Sequence, residues 1–207
     1  MTSPVTFTLI FANVAISLWA FYANPIYFER FSEWPYQIVH QKRYYQVITS
    51  AFLHANFIHL FFNMFALFSF GTYLETVFVN SFGDVMGSLY FFVIYVVSML
   101  TGSLLTVAFN YKNSGYVAVG ASGAVSGIVF SYVIFFPMNT IGVLFIPMPA
   151  FVFAFLYLGA SIYGIKSKFG NIGHEAHLGG AIGGMIATIL LIEGSIKIFL
   201  SHFGIQF

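Results

Sequence analysis

The stretch Gly120-Ala-Ser-Gly-Ala-Val-Ser-Gly127 lies in the middle of a long uncharged run of the chain. Small residues fill consecutive positions here, where an ordinary apolar helix would carry Leu or Phe. A serine flanked by glycines, at a turn into a helix, can place its hydroxyl beside the free N–H groups of that helix. Ser122 is therefore a candidate nucleophile, and such a serine needs a base and a set of donors for the oxyanion.

The composition indicates an integral membrane protein. Of the 207 residues, 59% are hydrophobic, 21% aromatic and 6% charged, whereas a soluble domain carries about 25% charged residues. The formal net charge of +1 argues against nucleic acid as a partner. The absence of cysteine excludes disulfides and thiolate metal sites. Residues 1–28 are uncharged, lack a basic start and are too long for a signal-peptide core, so we interpret them as a retained membrane helix.

The distribution of charges and prolines predicts an all-α bundle of six transmembrane helices, in one domain over residues 1–207. The uncharged run 113–165 is divided into two helices by Pro137, Pro147 and Pro149. The loop before the second helix carries five of the thirteen charged residues, more than any other loop, interleaved with aromatic rings, as is typical of the membrane interface. The predicted helices cover about residues 5–23, 52–74, 85–109, 122–136, 149–165 and 176–192.

Polar residues begin each even-numbered helix: His54 and His59 the second, Ser122 the fourth and His177 the sixth. Helices of even number run in the same direction, so these residues share one face of the membrane. His59, Ser122 and His177 each lie 15 or 16 residues before a predicted helix end, at Glu75, Pro137 and Glu193. That distance is about 22–24 Å of helix, against a hydrocarbon core of about 30 Å. Polar groups at such a depth should meet one another or line a water-filled cavity.

Each motif also has a purely structural interpretation. The glycines of residues 120–127, with those at 179, 180, 183 and 184, fit close helix packing. His59 and Asn63, four residues apart on one helix face, could form a structural polar pair. Packing alone does not require all of these groups at one depth on one face, so the combined pattern favours catalysis.

Two other classes of function fit parts of the pattern. His174-Glu-Ala-His177 is one residue short of the HExxH zinc motif, but a zinc site leaves Ser122 without a role. A transporter or channel could use polar groups at one depth, but it gives the glycine-flanked serine no role. We therefore predict a serine enzyme with no cofactor and no metal ligands.

Three motifs together resemble the rhomboid family of intramembrane serine proteases. The segment His54-Ala-Asn-Phe-Ile-His59-Leu-Phe-Phe-Asn63 resembles HxxxxHxxxN, Gly120-Ala-Ser122-Gly123 resembles GxSG, and Ala176-His177-Leu-Gly179 resembles AHxxG. The resemblance covers the whole six-helix core. It implies an intramembrane endopeptidase that cleaves transmembrane segments of other membrane proteins within the lipid. The expected location is the cell (inner) membrane of a prokaryote.

The resemblance also implies roles for individual residues. Ser122 would be the nucleophile, and His177 its general base and then acid. His59 and Asn63 would donate to the oxyanion together with the Ser122 backbone N–H. Structural roles would fall to His54, Gly120, Gly123 and Glu75. Because the only Asp, Asp84, lies on the opposite face, we expect a Ser–His dyad without an acidic third member.

The sequence departs from the family pattern at two places near these residues. The family often has an aromatic residue four positions after the nucleophile, stacked on the histidine, and this chain has Ser126. A Trp-Arg pair that is frequent in the first loop is Tyr45-Gln46 here. We therefore expect another group to orient His177. The fifth helix, which carries rings at 151, 153, 155 and 157, is the expected lateral gate for a substrate helix.

Overall fold

The computed structural model describes residues 3–143, 146–167 and 173–205, and these ranges are mostly helical. The helices are α1 (Pro4–Tyr22), α2 (Pro25–Phe31), α3 (Pro35–Gln41), α4 (Gln46–Thr49), α5 (Phe57–Ala66), α6 (Thr72–Phe82), α7 (Asp84–Asn110), α8 (Ser122–Phe135), α9 (Ala150–Ser167), α10 (His174–Leu191) and α11 (Ser195–Ser201). Two antiparallel strands, β1 (Thr140–Val143) and β2 (Ile146–Pro149), form a small hairpin that the sequence analysis did not predict.

The described ranges contain four helices long and apolar enough to cross a membrane: α1, the continuous helix Phe57–Phe82, α7 and α9. The pair α10–α11, bent by 108°, gives a fifth candidate, and α8 is a shorter apolar helix. Each of the six predicted helices is present. The predicted all-α polytopic membrane bundle is therefore confirmed, with the hairpin as its one small β element in the described ranges.

Helix α8 forms the centre of the bundle. All of its residues from Gly123 to Phe135 are buried, which explains a sequence that is apolar on every side. At 14 residues it is about 21 Å long, too short to cross the hydrocarbon core completely. A helix of this length leaves at least one of its ends below a membrane surface, and the depth of Ser122 stays a prediction.

Glycines bring the backbones of α7, α8 and α10 into contact. A Cβ atom on Gly180 of α10 would lie 1.9 Å from the carbonyl oxygen of Gly123 on α8. A Cβ on Gly184 would lie 2.4 Å from the Gly127 Cα atom, and one on Gly127 would lie 1.8 Å from Ser98 Oγ of α7. Any larger residue would push these helices apart. The glycines thus do serve packing, as the structural interpretation predicts.

The second membrane helix requires a correction to the predicted range 52–74. It begins at Phe57, because the side chain of Asn56 accepts a hydrogen bond from the His59 backbone N–H and caps the helix. A π turn, Leu67–Gly71, joins α5 to α6, and the helix ends at Phe82 before Gly83, whose φ of 81° favours glycine. The charge of Glu75 does not mark the end of the helix, since its side chain is fully buried.

The loop between α1 and α5 is folded. Gln46 is fully buried, and its Nε2 donates to the carbonyl of Arg30 and to Gln37 Oε1, at 3.1 and 3.2 Å. Its Oε1 accepts from the backbone N–H of Trp34. Gln46, which stands in the pair that departs from the family pattern, therefore joins α2, α3 and α4 and anchors the loop. Glu33 and Ala118 exchange backbone hydrogen bonds, which tie this loop to the segment before Ser122.

Candidate active site

Ser122 is the first residue of α8 and is half-buried. The turn into the helix is made at Gly120, whose φ is 125°, a conformation that L side chains rarely adopt. The Gly120 N–H donates to the carbonyl of Ser50 at 3.0 Å, which fixes the turn to the folded loop. As the first residue of a helix, Ser122 has a backbone N–H with no partner within that helix. The hydroxyl and this N–H therefore lie at the positive end of the helix dipole.

His177 lies in the first turn of α10, at the same end of the α8–α10 contact as Ser122. A Cβ atom on Gly123 would be 3.2 Å from the carbonyl oxygen of Ala176, so the two backbones approach closely at the neighbours of Ser122 and His177. Gly123 therefore allows the approach that the sequence predicts between the two candidate catalytic residues. His177 is half-buried, and the ring of His174 meets its ring edge-on at 6.4 Å between centroids.

His59 lies against the turn that precedes Ser122. A Cβ on Gly120 would be 2.7 Å from Cε1 and 3.0 Å from Nε2 of His59, so this edge of the imidazole covers the glycine. The backbone N–H of Ala55 donates to His59 Nδ1 at 3.4 Å. A neutral imidazole that accepts at Nδ1 carries its proton on Nε2. The proton-bearing edge of His59 thus faces the turn before Ser122.

Asn63 lies one helical turn after His59 and is buried. Its Nδ2 donates one hydrogen bond to the backbone carbonyl of His59, at 2.9 Å. An amide nitrogen has two hydrogens, so the second remains to be used. Both predicted donors are therefore on one face of α5, on the side of the helix that His59 presents to Gly120.

His54 packs against His59 and connects it to α1. It is fully buried, and its Nδ1 lies 2.8 Å from Ser17 Oγ of α1. Ser17 also donates to the carbonyl of Phe52, so its oxygen is the acceptor for an N–H at His54 Nδ1. The rings of His54 and His59 meet edge to face at 5.1 Å between centroids. His54 thus links α1 to the histidine that faces the Ser122 turn.

Glu75 lies away from this group, towards the far end of the same membrane helix. It is about 24 Å along the helix from His59. Its carboxylate accepts from the backbone N–H groups of Val5 and Thr6 at 3.0 and 2.8 Å, and from the hydroxyl groups of Thr6 and Ser88. Glu75 therefore caps the start of α1 and holds α1, α6 and α7 together.

Comparison with known proteins identifies the family of this chain. The Rhomboid domain profile matches residues 41–194. The chain is 31% identical over 163 residues to RHOMBOID-like protein 12, mitochondrial, of Arabidopsis thaliana, covering 75% of this chain and 48% of that protein. It is 33% identical over 147 residues to Rhomboid protein 1, mitochondrial, of Saccharomyces cerevisiae, covering 68% and 40%. The chain belongs to the rhomboid family.

The chain spans about half of the length of these two mitochondrial relatives, or less. Coverage is more complete against YdcA of Bacillus subtilis, which is named as a candidate rhomboid protease. The two sequences are 30% identical over 192 residues, which is 90% of this chain and 88% of that protein.

In this rhomboid, an aromatic ring of α9 stacks on the candidate catalytic histidine, His177. The ring of Tyr157 on α9 lies 5.7 Å from that of His177, between centroids, with an angle of 27° between the planes. The Tyr157 hydroxyl hydrogen-bonds to Ser126, the position at which the resemblance implies an aromatic residue. Sequence analysis missed this contact. The spacing of Tyr157 within α9 carries no information about which face of α9 meets α10.

Two carboxyl groups lie beside this region on the side of the folded loop. Buried Glu33 accepts a hydrogen bond from Ser103. Glu175, two residues before His177, accepts from Tyr116 and Asn110 at 3.4 Å each. Burial raises the pKa of Glu33 to about 7, the bond from Ser103 opposes this increase, and the charge of Glu175 adds to it. Burial and these two carboxyl groups also raise the pKa of Tyr116.

The zinc alternative requires several ligands at one point. Within residues 3–143, 146–167 and 173–205, no three His, Cys, Asp or Glu side chains are grouped to hold a metal ion.

Proposed function

We propose that this rhomboid is an intramembrane serine endopeptidase, with Ser122 as nucleophile and His177 as general base and acid. The observation that carries the proposal is the contact of α8 with α10 at Gly123 and Ala176, next to both residues. Small residues at this contact let a hydroxyl and an imidazole approach each other below the membrane surface. The family membership supports the same activity.

The proposed mechanism has two steps that share one histidine. His177 takes the proton from Ser122 Oγ as the oxygen attacks the carbonyl carbon of the peptide bond. The developing oxyanion accepts hydrogen bonds from the Ser122 backbone N–H, from His59 Nε2–H and from the free amide hydrogen of Asn63. His177 then gives its proton to the leaving amine. A water molecule then attacks the acyl carbon while His177 takes its proton, and His177 returns that proton to Ser122 Oγ as the bond between Oγ and the acyl carbon breaks.

The proposed substrates are transmembrane segments of other membrane proteins. Peptide bonds in a helix are shielded by backbone hydrogen bonds, so a substrate must unwind locally before attack. Helix-weakening residues near the cut and a site close to one membrane surface are therefore favoured. The proposed setting is a single domain over residues 1–207, surrounded by lipid and without nucleic acid. The proposed location is the cell (inner) membrane of a prokaryote, and the similarity to the Bacillus protein over 90% of this chain supports the prokaryotic part of this proposal.

Single substitutions in the dyad test the proposal. We expect S122A and H177A each to abolish cleavage of a single-span model substrate by detergent-purified protein. Both variants should unfold at the same temperature as the wild type. The double variant should be little worse than either one, because the two residues act as a unit. Mass spectrometry should locate the wild-type cut within or beside the span. Full activity in S122A would overturn the serine mechanism, and loss of wild-type activity to a chelator would favour a metal site.

A further inference from the structure

The candidate catalytic histidine receives its stacking partner from α9, although the resemblance implies that it comes from α8. Ser126, one turn after Ser122, is too small to cover an imidazole. Tyr157 approaches from α9 with its ring nearly parallel to that of His177, at 27° and 5.7 Å. Stacked ring pairs favour nearly parallel planes and are stabilised beyond the effect of the area that they bury.

The hydroxyl of Tyr157 connects the same ring to the backbone of Ser122. Ser126 Oγ donates to the backbone carbonyl of Ser122 at 2.6 Å. A serine hydroxyl has a single proton, so its remaining contact, with the Tyr157 hydroxyl, has Tyr157 as the donor. A chain of two hydrogen bonds therefore runs from Tyr157 through Ser126 to Ser122. One side chain thus touches the histidine with its ring and reaches the serine residue with its hydroxyl.

Neighbouring rings hold Tyr157 in this place. Phe130 of α8 lies 5.6 Å away and Phe153 of α9 lies 5.4 Å away, measured between ring centroids. By contrast, most of α9 is not buried: among its residues only Ala150, Ser161 and Gly164 are. A helix with so little buried surface has few contacts that fix its position, and Tyr157 provides one of them at the level of His177.

We propose that Tyr157 is the positioning residue for His177, and that through it the placement of α9 determines the geometry of the Ser122–His177 dyad. This inference rests on the proposed function. The ring keeps the imidazole plane aligned with Ser122. The two hydrogen bonds through Ser126 fix the position of the ring relative to the start of α8. A displacement of α9 moves the ring and therefore misaligns the base. The resemblance assigns no residue of α9 to this role.

Substitutions that separate the ring from the hydroxyl test the inference. We expect Y157L to lower kcat on a transmembrane substrate by roughly 10²-fold, as for a misplacement of about 1 Å, with KM nearly unchanged. Y157F keeps the ring and should retain most of the turnover. S126A should resemble Y157F, and Y157F combined with S126A should be no worse, because both changes remove the same bond. The matched control is Y163L, the same change at Tyr163, which lies on α9 and is 67% exposed.

A transplanted ring distinguishes positioning from stability. Y157A opens the space that the ring fills, and adding S126F returns a ring to the same space from α8. We expect the double variant to recover turnover relative to Y157A, with thermal unfolding measured for each protein. A folded Y157L with wild-type kcat, or a Y157F as impaired as Y157L, would overturn the inference. A wild type that neither cleaves nor reacts at Ser122 with a serine-directed phosphonate would overturn the proposed function first.

Discussion

A single methyl group on Gly180 should separate the two helices that carry the dyad. In G180A the new Cβ would lie 1.9 Å from the carbonyl oxygen of Gly123, which is about 1.5 Å short of ordinary van der Waals contact. Both the new atom and its neighbour are attached to helix backbones, so no side-chain rotation relieves the overlap. We therefore expect α10 to move away from α8 by more than 1 Å at Ser122 and His177.

The expected losses follow from that displacement. Overpacking of a tight core costs about 1–3 kcal/mol, and contact between two backbones belongs at the upper end of that range. A misplacement of about 1 Å between reacting groups lowers turnover by roughly 10²-fold. We expect G180A to remain folded at low temperature, to unfold earlier on heating and to lose about two orders of magnitude in kcat.

Glycine 159 provides the matched control on a neighbouring helix. A Cβ on Gly159 of α9 meets nothing within 4 Å. Alanine in a helix interior is favoured over glycine by roughly 0.5–1 kcal/mol, so G159A should unfold at the same or a higher temperature with unchanged kcat. The assays are cleavage of a single-span substrate in detergent micelles and thermal unfolding of each variant. Wild-type turnover and stability in G180A would refute the reasoning that backbone contact at Gly123 sets the dyad geometry.

Three further predictions concern the oxyanion donors, the buried carboxyl group and the lateral gate. H59A and N63A should each lower kcat by roughly 10²-fold with little change in KM, as for the loss of one preorganised donor; an effect on KM alone would make the residue a binding contact. Because burial raises the pKa of Glu33 from 4.5 to about 7, its contribution to stability is complete below pH 4.5 and is lost as the pH rises through 7. The loss approaches about 3 kcal/mol, so E33Q should become more stable than the wild type above pH 7. Exposed Glu29 is the control through E29Q, and thermal unfolding from pH 5 to 8 measures both; parallel curves for E33Q and the wild type would contradict the prediction. Replacing Phe151 or Phe155 by smaller residues should ease the entry of a substrate helix beside α9 and raise cleavage of transmembrane substrates at some cost in stability, whereas changes at Tyr157, or at Phe153 beside it, should lower cleavage. Variants that lose stability and never gain activity would argue against α9 as the gate.

The bundle and the candidate residues could be predicted from the sequence because both depend on local properties. Apolar runs, prolines and charges give the number and approximate ends of most helices, since each span must satisfy its own backbone in lipid. His59, Ser122 and His177 lie near the starts of even-numbered helices, which indicates a shared face by helix direction alone. The same logic failed at Glu75. A charged residue normally lies at the surface, but the Glu75 carboxylate is buried because it accepts hydrogen bonds from the N-terminal N–H groups of α1.

Contacts between distant segments were decided by the tertiary structure. The sequence names the glycines of α8 and α10, but the backbone contact of Gly123 with Gly180 depends on how the two helices cross. The anchoring by Gln46 depends on the path of the folded loop through α2, α3 and α4. The replacement of an aromatic residue at position 126 by Tyr157 depends on the rotation of α9 about its own axis. Rotation of a mostly apolar helix leaves little periodic signal in its sequence, because lipid and protein neighbours accept the same residues.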